Sequence, residues 1–311
     1  MSTIFVYFSA IDEIDIRQTI TSCLKNAADP GRIHFGIVVQ YNQYEKDTFK
    51  DFPNLKQIEI GFDEVLGVGA TRQLAYLLHN NETYCLQIDA HMIFSMGWDE
   101  KLIKYYNAAK KVTDKVILSG YAPSWYRDPN NNVYKEDLDE SRSLTLVNDF
   151  ISAKQPIVGF MKSEDPVEIN GLNLYKQKAI SCHFIFSEIF VFDYILPDTF
   201  IIYNGDEATT SLRAISRGYR VYMPAENILW HLNKTRDNFY SNEAKRWQPM
   251  FMGKQSPDSE RNIRTAHQAY KRVKDVFLGE VLGFYGAETK EDLEWYSSYI
   301  GIDFKEVYDK Q

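Results

Sequence analysis

Cysteine is scarce in this chain: three residues among 311, Cys23, Cys85 and Cys182, lie far apart with no Cys-x-x-Cys pair. That argues against a disulfide-built scaffold or a cysteine-rich zinc site and fits a reducing compartment, so the expected location is cytoplasmic. Long apolar runs are missing as well. Nowhere do 18 apolar residues follow one another, and the first nine residues lack a basic start and an extended apolar core, so no membrane span and no leader are expected. Positive charge is in deficit. The 35 Lys plus Arg against 43 Asp plus Glu leave −8 at pH 7, with no basic run, which counts against a broad phosphate-binding face for nucleic acid. No GxSxG, HExxH or Walker A pattern occurs, setting aside serine hydrolases, zincins and P-loop kinases. The stretch Gly67-Val68-Gly69-Ala70-Thr71-Arg72 has Arg72 where a dinucleotide fingerprint needs its third glycine, against a nicotinamide oxidoreductase.

Apolar residues are plentiful at 44%, and 21 Tyr with 19 Phe supply a packed core and aromatic walls. Residues 4–8, 33–39 and 84–88 are near-continuous apolar runs, the pattern of parallel strands covered on both faces, and 55–60 reads as a further strand. Helical periods separate them, at Ile16, Ile20 and Leu24 and again at Leu74, Leu77 and Leu78. This alternation predicts an α/β fold with a doubly wound, mostly parallel sheet, which binds ligands at the carboxyl ends of its strands. Farther on, 98–111 and 205–217 read as helices, and 116–118, 144–147, 180–186 and 219–223 as strands. Residues 122–140 read as a loop excursion, 233–264 as a polar stretch, and 266–278 and 290–298 as terminal helices.

Asp89-Ala90-His91 is placed where a buried strand emerges, so a carboxylate and an imidazole two apart can turn to one divalent cation. Alternatively Asp89 caps a turn and His91 is a satisfied histidine. His231, after the apolar run Ile228-Leu229-Trp230, is either a third ligand or a packed ring. Asp206 and Glu207 open a helix, where acids are favoured by the macrodipole, or else turn one carboxylate to a cleft. Arg72 in the first turn of its helix suits a phosphate or Asp89. Trp125, Tyr126 and His183 are candidates for the acceptor side. Cys182 reads as a small buried hydrophobe.

In order, these signals join Ser9 with Asp12, Asp29-Pro30-Gly31-Arg32, Gly36 to Gln40, Leu196-Pro197-Asp198, Tyr203-Asn204-Gly205, Ser216-Arg217-Gly218-Tyr219 and Gly301-Ile302-Asp303-Phe304. The whole resembles the retaining GT-A type glycosyltransferases typified by the cytoplasmic polypeptide (hydroxyproline) α-N-acetylglucosaminyltransferases. Those are similar in turn to the polypeptide N-acetylgalactosaminyltransferases. The resemblance implies a GT-A nucleotide-diphospho-sugar transferase fold with an acceptor-side extension. It implies one domain over 1–311: a nucleotide-sugar half at 1–120, an acceptor and catalytic half at 121–235, and a lid with helices at 236–311. It implies Asp89, His91 and His231 as ligands of Mn²⁺ or Mg²⁺, with Ser9, Asp12, Gln40, Arg72 and Asp89 binding a UDP-sugar. Asp206 and Glu207 become the catalytic acids, and the acceptor is a macromolecule: protein, glycan or modified nucleic acid. A non-catalytic sugar-nucleotide or glycan-binding module is the alternative. Ile11 stands where relatives carry Arg, and the segment from Trp125 to Glu140 does not align, so the hydroxyproline acceptor does not transfer.

Overall fold

The computed structural model describes residues 2–11, 13–41, 49–61, 66–136, 144–149, 157–162, 166–202, 205–234, 236–237 and 259–309. The four expected strands form β1 (Ile4–Ile11), β2 (Ile33–Tyr41), β3 (Leu55–Gly61) and β4 (Tyr84–Ile88), mutually parallel in the order β4-β1-β2-β3. Successive side chains of a strand leave on opposite faces, and here both faces are covered. Ile4, Val6 and Phe8 of β1 enter one core with Ile16 and Ile20 of α1 (Ile16–Asn26). Phe5 and Tyr7 enter a second core with Ala75 and Tyr76 of α2 (Val68–Tyr76). Leu77, expected on the buried stripe of that helix, lies just past its end and is 66% exposed.

The glycines ahead of α2 serve a backbone contact. Val68 N–H donates to the Ile202 carbonyl at 2.8 Å and Gly69 N–H to that of Ile201 at 3.1 Å. A Cβ on Gly69 would sit 1.9 Å from the Asp198 carbonyl oxygen, so only glycine fits there.

After β4 the chain makes β5 (Met92–Phe94), then α3 (Trp98–Ala109), whose Trp98 and Leu102 join the first core, and then β6 (Val116–Ser119). The stretch expected to be a loop excursion contains a hairpin, β7 (Ser124–Arg127) and β8 (Val133–Lys135). Its strands are too short and polar for an apolar alternation to mark them. A hairpin of β9 (Leu144–Asp149) and β10 (Ile157–Lys162) is followed by β11 (Val167–Ile169) and β12 (Leu172–Gln177). β13 (Phe184–Glu188) begins four residues after the expected strand start at 180. Then come α4 (Phe192–Ile195), α5 (Asp206–Ser216), β14 (Arg220–Pro224) and β15 (Leu229–Leu232).

The main sheet has the order β11-β12-β14-β6-β13-β4-β1-β2-β3. β12 and β13 run against the other seven, so the expected doubly wound, mostly parallel sheet is present. A second sheet, β5-β15-β7-β8, stands at the carboxyl end of β4. The chain closes with α6 (Ser259–Phe277), α7 (Lys290–Ile300) and α8 (Phe304–Asp309). Val273, Tyr296 and Phe304 of these helices enter the second core beside Leu212 and Ile215 of α5. Of the expected lid and helices at 236–311, residues 238–258 lie outside the described residues.

Candidate functional site

Strand register builds a group of three side chains that could hold a metal ion. Asp89 and His91 occupy the short link between β4 and β5, and β5 pairs antiparallel with β15 so that Met92 faces His231. This sets the His91 and His231 rings side by side, with Nε2 atoms 3.0 Å apart. His231 Nε2 is also 3.2 Å from Asp89 Oδ2, and one ligand atom from each of the three residues lies within 4.8 Å of the others. The His91 carbonyl is clamped from two sides, by Leu232 N–H at 3.2 Å and Trp125 Nε1–H at 3.0 Å.

Electrostatics suits cation capture. Burial, seconded by Lys234 and opposed by Glu13, pushes the His91 pKa down to about 4, so the ring is neutral at pH 7 and has a lone pair to give. Burial works to raise the Asp89 carboxyl, but the His231 hydrogen bond and the Arg72 charge outweigh it and hold it well below the usual range. One carboxylate and two imidazoles fit a divalent ion. The two nitrogens favour Mn²⁺ over Mg²⁺, which prefers oxygen throughout. The same donor set also serves mononuclear iron sites, so the surroundings must define the chemistry.

Those surroundings are a cleft of about 500 Å³ at the carboxyl ends of β1 and β4. Ser9, Gln40, Arg72, Asp89, His91 and His231 line it, so these sequence-predicted residues share one cavity. Asp12 lies outside the described residues. Arg72 is 6% exposed and bridges two acids, with Nη2 2.8 Å from Asp89 Oδ1 and Nη1 2.5 Å from Asp206 Oδ2. Burial alone would lower the Arg72 pKa, but Asp206 and Asp89 carry it upward.

Asp206 and Glu207 part company. Asp206 is bound to Arg72 and faces inward. Glu207 Oε1 accepts from Ser181 Oγ–H at 3.0 Å and Cys182 N–H at 2.9 Å, while Oε2 has no hydrogen bond among the described residues. Burial and then Asp206 push the Glu207 carboxyl up to about 7. Neither acid is among the residues lining the cleft; Tyr121, which lines it, lies close enough to Glu207 and Asp89 for both to raise its pKa.

Two of the three acceptor-side candidates, Trp125 and His183, are buried. Trp125 is fully buried against Ile93, Trp230 and Leu232, so its ring is unavailable to an acceptor. Tyr126 is half-buried, stacked on Tyr134 of the same hairpin with the Arg236 guanidinium 4.3 Å from its ring centre. His183 is buried with both nitrogens engaged: Nε2 accepts from Ala122 N–H at 3.1 Å and Nδ1 lies 2.7 Å from Ser181 Oγ. It props Ser181, which props Glu207. Cys182 is buried, as expected, and its thiol is pushed up chiefly by burial.

Sequence reasoning missed Glu13, Tyr121 and Lys234, which line the same cleft. Glu13 follows the carboxyl end of β1, where such sheets place ligand-facing residues, so a signal existed. For Tyr121, one of 21 tyrosines, none did.

A crystal structure of GalNAc-T7 with UDP, GalNAc and Mn²⁺ matches all of this chain at a TM-score of 0.59 and 14% identity. The chain spans only 57% of that protein's length in return, and the match identifies the fold as GT-A. No curated protein matches the sequence. Among the described residues, no helix is long and apolar enough to cross a membrane. The family model described as Glycosyltransferase (GlcNAc) matches residues 49–306, most of the chain, and the protein is therefore a member of that glycosyltransferase family.

Proposed function

We propose that this enzyme moves N-acetylglucosamine from a UDP-sugar to a hydroxyl of a macromolecular acceptor, with retention at the anomeric carbon and with Mn²⁺ or Mg²⁺ required. The observation that carries the reading is the convergence of Asp89, His91, His231 and Arg72 on one cleft. The family description names the sugar, and the structure of similar fold was solved with UDP and Mn²⁺. A cation held by the triad would act as a Lewis acid toward diphosphate oxygens. Arg72 supplies a fixed positive charge beside them, kept in place by Asp206. Ser9 and Gln40 lie in the same cleft and are assigned to the nucleotide, together with Asp12.

Of the two acids, we assign the role toward the donor sugar to Glu207, because Asp206 is committed to Arg72 while Glu207 keeps an oxygen without a hydrogen bond among the described residues. Retention of the triad, Arg72 and Glu207 together favours turnover over a binding module, which has no need of the whole set. We read 1–311 as one domain whose acceptor, a protein, a glycan or a modified nucleic acid, is chosen by segments after residue 121. Three free, buried cysteines are consistent with a cytoplasmic setting.

A panel of nucleotide sugars scored for Mn²⁺-dependent UDP release and for thermal stabilisation tests this. UDP-N-acetylglucosamine should give the largest response in both. Release indifferent to the cation, or preference for a non-uridine donor, would overturn the reading.

A further inference from the structure

Glu13 has no part in the roles assigned above, yet its carboxylate is held by three partners, Asp15, His91 and Lys234. Its side chain is 5% exposed. Oε1 accepts the Asp15 N–H at 3.2 Å, which ties the carboxylate to its own loop. Oε2 accepts from Lys234 Nζ at 3.0 Å and lies 2.9 Å from His91 Nδ1. The loop itself is pinned. Asp15 receives two hydrogen bonds of 3.0 Å from Arg127, and Arg127 Nε donates at 2.7 Å to Asp237, five residues beyond the end of β15. Glu13 and His231 are thus carried by segments joined through one guanidinium.

A carboxylate can only accept. With Glu13 at Nδ1, the His91 proton must reside on Nδ1, which leaves the lone pair on Nε2. Nε2 is the nitrogen aimed at His231 Nε2, 3.0 Å away, and at Asp89 Oδ2, 3.9 Å away. The opposite tautomer would put a hydrogen where a cation has to sit. We propose that Glu13 is a positioning residue that fixes the tautomer and ring orientation of His91, so that the triad is preset to take a divalent cation. The inference rests on reading Asp89, His91 and His231 as a metal centre. Carboxylates behind histidine ligands commonly act in this way, and their loss weakens metal binding.

The test uses the full chain and two readouts. Mn²⁺ is titrated without nucleotide and followed by electron paramagnetic resonance. Histidine ring nitrogens of the metal-free, ¹⁵N-labelled protein are observed by NMR, where the six histidines are few enough to assign with a His91→Gln reference. Glu13→Ala should lower Mn²⁺ affinity by about 10–100-fold and release His91 from a single Nδ1–H tautomer. Glu13→Gln is isosteric and keeps an accepting oxygen, so it should recover much of both. The proposal is overturned if Glu13→Ala binds Mn²⁺ as tightly as wild type, if His91 keeps the same tautomer, or if Glu13→Gln falls as far as Glu13→Ala. Should wild type and Asp89→Ala bind Mn²⁺ alike, the metal reading fails; the His91 tautomer in Glu13→Ala then still decides whether Glu13 positions the ring.

Discussion

Replacing Arg72 by Met keeps most of the stem and removes the guanidinium shared by Asp89 and Asp206. Its nitrogens sit 2.8 and 2.5 Å from the two carboxylates. At an effective dielectric of about 20, each charge pair with centres near 4 Å carries roughly 4 kcal/mol. Relief of guanidinium desolvation returns part of that, and loss of one partner from a buried pair costs about 3–5 kcal/mol net. With unfolding entropy of about 2.1 cal/mol/K per residue, this 311-residue chain should lose about 5–8 °C of Tm. The loss should depend on pH in a defined direction. The Asp206 carboxyl, already raised by burial and restrained by Arg72, moves farther up in the variant. A carboxyl whose folded pKa exceeds its unfolded value costs stability above that unfolded value and nothing once both states are protonated. The deficit of Arg72→Met should therefore be full near about pH 8 and shrink toward about pH 4. Adding Asp206→Asn removes one stranded charge and should restore a large part of the loss. Thermal and urea unfolding in EDTA, at both pH values, measure all of this. A deficit that is flat with pH, or one that Asp206→Asn deepens, refutes the charge argument.

Asp89→Ala should abolish Mn²⁺-dependent UDP release, and undiminished cation-dependent turnover in that variant would sink the ligand assignment. Glu207→Gln should lower kcat for transfer more than it weakens UDP binding, and equal losses would mark a scaffolding residue. Because the Glu207 carboxyl is pushed up to about 7, its folded pKa exceeds the unfolded one, and its penalty sets in above the unfolded value and is full above about 7. Glu207→Gln should therefore unfold at higher urea than wild type under alkaline conditions, with the advantage vanishing under acid ones. Gly69→Ala places a methyl 1.9 Å from the Asp198 carbonyl oxygen and should destabilise by about 1–3 kcal/mol in denaturant unfolding; a neutral result would show that the contact yields freely.

The central strands were legible because β1, β2 and β4 are covered on both faces and so read as unbroken apolar runs. Asp89, His91 and Arg72 were legible because they follow or face those strands. The rest depended on tertiary context. Trp125 and Tyr126 sit in a hairpin whose strands are short and polar, so its residues passed for a loop that meets an acceptor. The β11–β12 hairpin did carry a local signal: Asn170-Gly171, with φ of +51° and +74°, is the two-residue turn that favours this dipeptide. His183 resembled a cleft residue by type, and only its two hydrogen bonds reveal it as a prop. Leu77 fitted the helical period, but the helix ends one residue before it.

The pairing of β5 with β15 has a consequence in time as well as in space. His91 and His231 are 140 residues apart, and bringing them together requires a long loop to close, at a cost in chain entropy. A nascent chain that has emerged only through β14 holds two of the three proposed ligands, Asp89 and His91, and the Arg72 charge, but not His231. On the proposed metal reading, strong cation capture should wait until the second sheet assembles. Mn²⁺ that binds only the finished arrangement should draw the folding equilibrium toward it in proportion to its concentration, making cation affinity a gauge of how completely the enzyme has folded.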